Sequence, residues 1–171
     1  MTCRAVQWGR VSFQPPDGFS VQGPEPESGD GCKGATCVLL CQTPRDVPAH
    51  FPLADNPGDL DPAGYPVTIS LTALPAQYAA APRRHLEQMA RAFTRHLADF
   101  KTHFNEPVQV GEHSGARGHF SFTTNFPIHQ LVVVWQMRKT MITATMMAPD
   151  DQVGRKWKTL ERFCDSVRLQ P

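Results

Sequence analysis

A strict alternation of apolar and hydroxyl residues over positions 67–74 is the clearest pattern in this chain. Val67, Ile69 and Leu71 occupy every second position, and threonine or serine stands between them. Successive side chains of a strand point to opposite faces, so this period of two predicts a strand with one buried face.

A period of 3.6 residues begins at Pro82 and predicts one long helix that ends at Phe104. Proline suits the first helical turn because it lacks an N–H that would stay unpaired there, and apolar residues then recur at helical spacing. A second amphipathic helix is predicted after Pro149-Asp150-Asp151, whose carboxylates suit the positive end of a helix dipole. The apolar stripe of this second helix comprises Val153, Trp157, Leu160 and Cys164.

The segments His129–Met137 and Thr140–Ala148 are predicted to pair as a β-hairpin. Strands over 108–112 and 116–125 precede it, with a turn at Ser114-Gly115. Across the hairpin the partners predicted on one face are Trp135 with Ile142, Val133 with Ala144 and Leu131 with Met146.

The first third of the chain is less regular. Residues 5–13 predict a strand broken near Gly9, Pro15–Gly18 predicts a turn, and 19–21 a return strand. The apolar run 35–42 is typical of a strand covered on both faces. Segments rich in Gly, Pro and acidic residues predict long irregular loops at 22–34 and 43–66. Together these elements predict one α+β domain over residues 1–171, with an antiparallel sheet.

The net charge of the chain argues against two classes of partner. The chain carries 17 Lys and Arg against 16 Asp and Glu, a net charge of +1. This supplies no field that attracts nucleic acid or an anionic membrane surface. No apolar stretch approaches the roughly 18 residues of a membrane span, and no leader pattern opens the chain. We therefore expect neither nucleic-acid binding nor stable membrane insertion, and we expect a cytosolic location.

The candidate reactive groups do not form a recognisable site in the sequence. Five cysteines at irregular spacing favour reduced thiols, and Cys37 and Cys41 would stand roughly 13 Å apart along a strand. His85, His96 and His103 form a line on the predicted helix, but neighbours are roughly 16 and 10 Å apart, too far to share one ion. We predict no catalytic residues, no metal and no cofactor; an enzyme using a thiol or an imidazole is the least favoured alternative.

The second face of the predicted hairpin is the candidate binding surface. It mixes apolar, hydroxyl and amide side chains, which makes it too apolar for bare water and too polar for a dry core. The alternative is that a helix or loop of the protein itself covers this face. The residues predicted to bind a partner are Gln130, Val132, Val134, Gln136, Met141, Thr143, Thr145 and Met147, with Thr68 and Ser70 on the alternating strand.

Four segments resemble proteins of the DcrB/PsbP-like fold family. They are Phe13–Phe19, the step from Val67–Leu71 into Pro82–Phe104, Gly115–Gly118, and Trp157–Phe163. The resemblance implies a PsbP-like α/β/α sandwich, in which a twisted antiparallel sheet packs with one long central helix and a C-terminal helix. It also implies a non-catalytic binding protein.

A leaderless bacterial branch of this family is similar to the chaperones associated with type VI secretion effectors. That similarity implies a cytosolic chaperone or adaptor that cradles a hydrophobic or transmembrane segment of a secreted effector, and a homodimer as its assembly. The alternative is a small-ligand-binding or structural module of the same fold with no chaperone role.

Overall fold

The computed structural model describes residues 5–22, 36–42, 67–75, 81–149 and 153–169. Apart from Gln22, the two predicted loops lie outside these ranges. The described elements are β1 (Val6–Trp8), β2 (Val11–Phe13), β3 (Phe19–Gln22), β4 (Thr36–Gln42), β5 (Thr68–Pro75), α1 (Pro82–His96), β6 (Lys101–Val110), β7 (His113–Thr123), β8 (Pro127–Met137), β9 (Thr140–Pro149), α2 (Val153–Ser166) and β10 (Arg168–Leu169).

The centre of the fold is an antiparallel seven-stranded sheet with the order β3-β4-β5-β9-β8-β7-β6. The predicted hairpin is confirmed, since β8 and β9 pair with Trp135 opposite Ile142, Val133 opposite Ala144 and Leu131 opposite Met146. A smaller sheet of order β1-β2-β10 adjoins it. The strand predicted over 19–21 does not return onto β2, because β3 pairs with β4 in the large sheet.

The two helices pack on opposite faces of the large sheet. Leu86 of α1 packs on β7 and β8 with Ala116, Phe120 and Val134, on what we call the α1 face. Leu160 and Phe163 of α2 join the core on the other side, which we call the α2 face. The predicted α+β sandwich is therefore confirmed, and neither described helix is long and apolar enough to cross a membrane.

The long helix ends eight residues earlier than its apolar spacing predicts. Leu97 has φ −112° and ψ 131°, although its N–H still donates to the carbonyl of Phe93. Asp99 then turns the chain with φ 52°, and residues from Lys101 onward pair with β7. Helical periodicity cannot report such pairing, so the prediction of a helix through Phe104 is wrong.

The turn predicted at Ser114-Gly115 lies at Gly111-Glu112 instead, where Gly111 has φ 54°. Gly115 is a strand residue, and a Cβ there would stand 2.5 Å from the carbonyl oxygen of Val134. This glycine allows close approach of β7 and β8 rather than a turn.

Candidate functional site

The predicted binding face is the α1 face, and α1 covers its central part. Val132 and Val134 are completely buried and Met141 is 1% exposed. They form one cluster with Leu86 of α1 and Phe120 of β7. The prediction of an open surface is therefore wrong for these three residues, because α1 excludes solvent from β7 and β8.

Gln130 and Gln136 also differ from the predicted role. Gln130 is buried, with 6% exposure, whereas Gln136 is exposed and its amide donates to the carbonyl of Arg138 in the hairpin turn. Neither amide belongs to a continuous open surface. Met147 is half-buried against the cluster of Phe122, Phe126 and Ile128.

The remaining part of the α1 face carries hydroxyl groups over β5 and β9. Strand pairing places Thr72 opposite Thr143 and Ser70 opposite Thr145. Thr143 and Thr145 are buried, at 7% and 8% exposure, but the residues from β5 are half-exposed. We call this set the hydroxyl strip, and it consists of Thr68, Ser70, Thr72, Thr143 and Thr145.

Two half-buried apolar side chains from β4 border the hydroxyl strip. Leu39 pairs with Ser70, and Cys41 pairs with Thr68. The expectation that this strand is covered on both faces holds for one face only, where Val38 and Leu40 are buried. A mixed surface of the predicted kind thus exists, but it lies over β4 and β5 rather than over the β8–β9 hairpin.

Cys41 and Cys164 are free thiols. Burial raises the pKa of the Cys41 thiol. The pKa of Cys164 is raised well above its ordinary value, chiefly by burial and further by the charges of Asp165 and Glu161. Since the thiolate is the nucleophilic form, Cys164 is a poor nucleophile at neutral pH.

The histidines form a different group from the line predicted on one helix. His85 and His96 lie on α1, but His103 lies on β6. There it meets His119 of β7 and His129 of β8, and one ring nitrogen from each lies within 4.8 Å of the others. We call these three residues the histidine cluster. It occupies the α2 face, and sequence reasoning missed it.

A β-bulge brings His103 into this cluster. The register shifts between Thr102, opposite Phe120, and Phe104, opposite His119. The extra residue at the bulge is His103, whose ring stacks on His119 with centroids 4.3 Å apart. Nε2 of His119 lies 2.6 Å from Nδ1 of His129, and Nε2 of His103 lies 2.7 Å from Oγ of Ser121.

Beside the cluster, Arg117 links β6, β7 and α2. Its guanidinium binds Glu106 at 2.6 Å and Glu161 at 2.8 Å. It also lies over the rings of Phe104 and Trp157, 5.8 and 5.5 Å from their centroids. The Phe104 ring stacks on Trp157 and meets His119 edge-on. The Arg117 side chain is therefore held by two carboxylates and two aromatic rings.

The neighbouring predicted strands 116–125 and 129–137 could have revealed part of the histidine cluster. With β7 paired to β8, His119 and His129 are diagonal neighbours on one face, since His129 pairs with Ser121. His103 could not be found in this way, because the apolar spacing assigns it to a helix.

Similar folds occur among solved structures of diverse function. Yeast Ran-binding protein Mog1p aligns over 99% of this chain and 96% of its own, with a TM-score of 0.61 and 11% identity. Cyanobacterial PsbP from Synechocystis aligns over 99% and 94%, with a TM-score of 0.60 and 10% identity. LpqN of Mycobacterium tuberculosis, involved in cell envelope biogenesis, aligns over 98% and 90%, with a TM-score of 0.56 and 16% identity.

No model of a protein family and no curated protein matches the sequence. The chain therefore has a PsbP/Mog1-like fold, and at these identities the likeness shows the fold alone.

Proposed function

We propose that this protein is a non-catalytic chaperone or adaptor that binds an apolar segment of another protein beside α1. The observation that carries the proposal is the unequal cover of the α1 face. Helix α1 buries Val132 and Val134, whereas Leu39, Cys41 and Ser70 stay half-exposed on the neighbouring strands. The guest would lie along the hydroxyl strip and its β4 border.

The chemistry of this surface suits a segment that is mostly apolar but not free of polar groups. Leu39, Cys41 and Met147 offer apolar area, which contributes roughly 25 cal/mol per Å² removed from water. The hydroxyls of Thr68 and Ser70 can donate to or accept from polar groups of the guest, which lowers the cost of burying them.

The edge of the sheet adds a second means of holding a guest. Within the described residues β3 pairs only with β4 and forms the end of the large sheet. Ser20 and Gln22 of β3 are exposed and belong to the same face as Cys41 and Leu39, with which they pair. An unpaired strand edge binds extended chain through backbone hydrogen bonds.

The family resemblance supports one class of partner. We propose a secreted effector with a hydrophobic or transmembrane segment, bound in the cytosol before delivery, by a chain that works as a homodimer. Among proteins of similar fold, yeast Mog1p is named for binding another protein. That example supports a binding role for this kind of scaffold.

The test is binding of a fluorescent peptide of about 20 apolar residues, the length of a membrane span, kept soluble by terminal lysines. Saturable binding in fluorescence anisotropy is expected for the natural chain. Ser70→Lys should weaken it at least about tenfold, a loss of about 1.4 kcal/mol, because a charged side chain would enter the strip.

Ser114→Lys is the matched control, since Ser114 is exposed on β7 away from the strip. Thermal unfolding of both variants checks that the fold is intact. The proposal fails if the natural chain does not bind the peptide, or if the two lysine variants bind it equally well.

A second candidate function is supported by a cleft of about 600 Å³ on the α2 face. Its lining combines apolar Trp135, Met137 and Val167 with polar Glu112, His113 and Arg168, and such a mixture can bind and orient a small ligand. Ligand binding that Met137→Trp abolishes and Ser70→Lys leaves unchanged would favour this small-ligand function.

A further inference from the structure

The histidine cluster joins three neighbouring strands at one edge of the α2 face. His103 comes from edge strand β6, His119 from β7 and His129 from β8. We propose that these three side chains bind one Zn²⁺ ion. The proposal is independent of the chaperone function, because the hydroxyl strip lies on the opposite face of the sheet.

The donor set selects the class of ion. Three imidazole nitrogens within 4.8 Å of one another form the group, and imidazole is a preferred ligand of Zn²⁺ at about 2.0–2.1 Å. Tetrahedral coordination at that bond length places ligand nitrogens about 3.3 Å apart. The His119–His129 contact of 2.6 Å therefore has to open by less than about 1 Å.

The surroundings hold the rings in place. Ser121 contacts His103 through its hydroxyl, and the edge-on ring of Phe104 flanks His119. Groups that orient a ligand in this way strengthen metal binding.

The solvent exposure of the three histidines increases towards His103, so an ion can reach the cluster from that side. His129 is buried, His119 is half-buried and His103 is exposed. Three protein ligands leave a fourth tetrahedral position, which would face solvent on the side of His103 and accept water or a small anion. The ion would also tie the bulged edge strand β6 to β7 and β8.

The experiment measures Zn²⁺ binding to the full chain without an affinity tag, by isothermal titration calorimetry. One ion per chain is expected, together with a rise in the melting temperature, because an ion that binds only the folded state stabilises it. Co²⁺ serves as the spectroscopic probe. Tetrahedral nitrogen ligation gives visible absorption without the intense near-ultraviolet band of thiolate ligation, so binding by cysteines is recognised.

His103→Ala is the decisive variant because His103 is exposed and its loss leaves the core intact. Loss of a group that merely orients a ligand lowers metal affinity by about 10–100-fold, so removing a ligand should weaken Zn²⁺ binding by more than about 100-fold. His96→Ala, exposed on α1, is the matched control and should bind like the natural chain.

Two results would overturn the site. The first is an absence of stoichiometric Zn²⁺ binding by the natural chain, which would make the cluster a hydrogen-bonded stack of imidazoles only. The second is equal affinity in His103→Ala and His96→Ala. Neither result bears on binding of the apolar peptide, so the two proposals fail separately.

Discussion

The α1 face and the α2 face of the same sheet are built differently. Leu86 is the one fully buried residue of α1, whereas α2 contributes the buried residues Leu160, Phe163 and Cys164. The α2 face contributes to one continuous core that also includes the small sheet. The α1 face has separate small clusters and a hydroxyl strip. One face mainly stabilises the fold, and the other leaves part of its surface accessible to solvent.

The largest expected effect is that of Val134→Asp, which tests whether α1 seals its half of the face. An unpaired carboxylate at this fully buried position should lower the free energy of unfolding by more than about 4 kcal/mol. Thr72→Asp is the matched control, since Thr72 is half-exposed in the same row of the sheet through Thr143. It should cost about 1 kcal/mol in urea unfolding. Equal losses of unfolding free energy in the two variants would mean that α1 covers Val134 no better than Thr72.

Replacing one buried leucine of each helix by alanine compares how strongly the packing of α1 and of α2 stabilises the fold. Leu86 and Leu160 are both completely buried, and a buried Leu→Ala change costs roughly 2–5 kcal/mol. We expect Leu160→Ala near the upper end, because its cavity would open in the larger core, and Leu86→Ala near the lower end. Chemical denaturation of both variants measures the difference. A greater loss for Leu86→Ala would reverse the assignment of the stabilising face.

Two glycines of β7 test close packing on the two faces. A Cβ at Gly115 would meet the backbone oxygen of Val134 at 2.5 Å, whereas at Gly118 it would meet side-chain atoms of Phe120 and Leu86 at 2.8 and 2.9 Å. Overpacking costs typically about 1–3 kcal/mol. Gly115→Ala should be the costlier change, since backbone cannot move aside as Leu86 can. Melting temperatures rank the two variants, and the opposite ranking would contradict this account.

The smallest effect concerns alkaline stability. The folded-state pKa of Cys164 is raised by burial and by neighbouring charges, so above the ordinary thiol pKa of about 8.5 the unfolded chain releases a proton that the folded chain keeps. Stability should therefore fall as pH rises above that value, by at most about 1.4 kcal/mol per pH unit from this group. Cys164→Ala should fall less steeply between pH 8 and pH 10, and Cys41→Ala should change the slope less. Parallel curves for the natural chain and Cys164→Ala would exclude the effect.

The fold was predictable where periodicity and local chemistry agree. The alternation around Ile69, the hairpin of β8 and β9 and the stripe of α2 all follow from which side chains must be buried. The end of α1 was not predictable, because Leu97 and Phe100 continue a helical spacing while the backbone from Lys101 onward pairs with β7. The position of Gly115 was misread for the same reason, since only the neighbouring strand reveals why glycine is needed there.

The candidate sites also differ in how far the sequence could predict them. A mixed apolar and hydroxyl surface was predictable from the sequence, because the composition of alternate positions is a local property. Which part of that surface stays accessible was decided by where α1 packs, and that depends on contacts between residues far apart in the chain. The histidine cluster was decided by tertiary structure alone, since a bulge and two strand pairings bring together residues 10 to 26 positions apart.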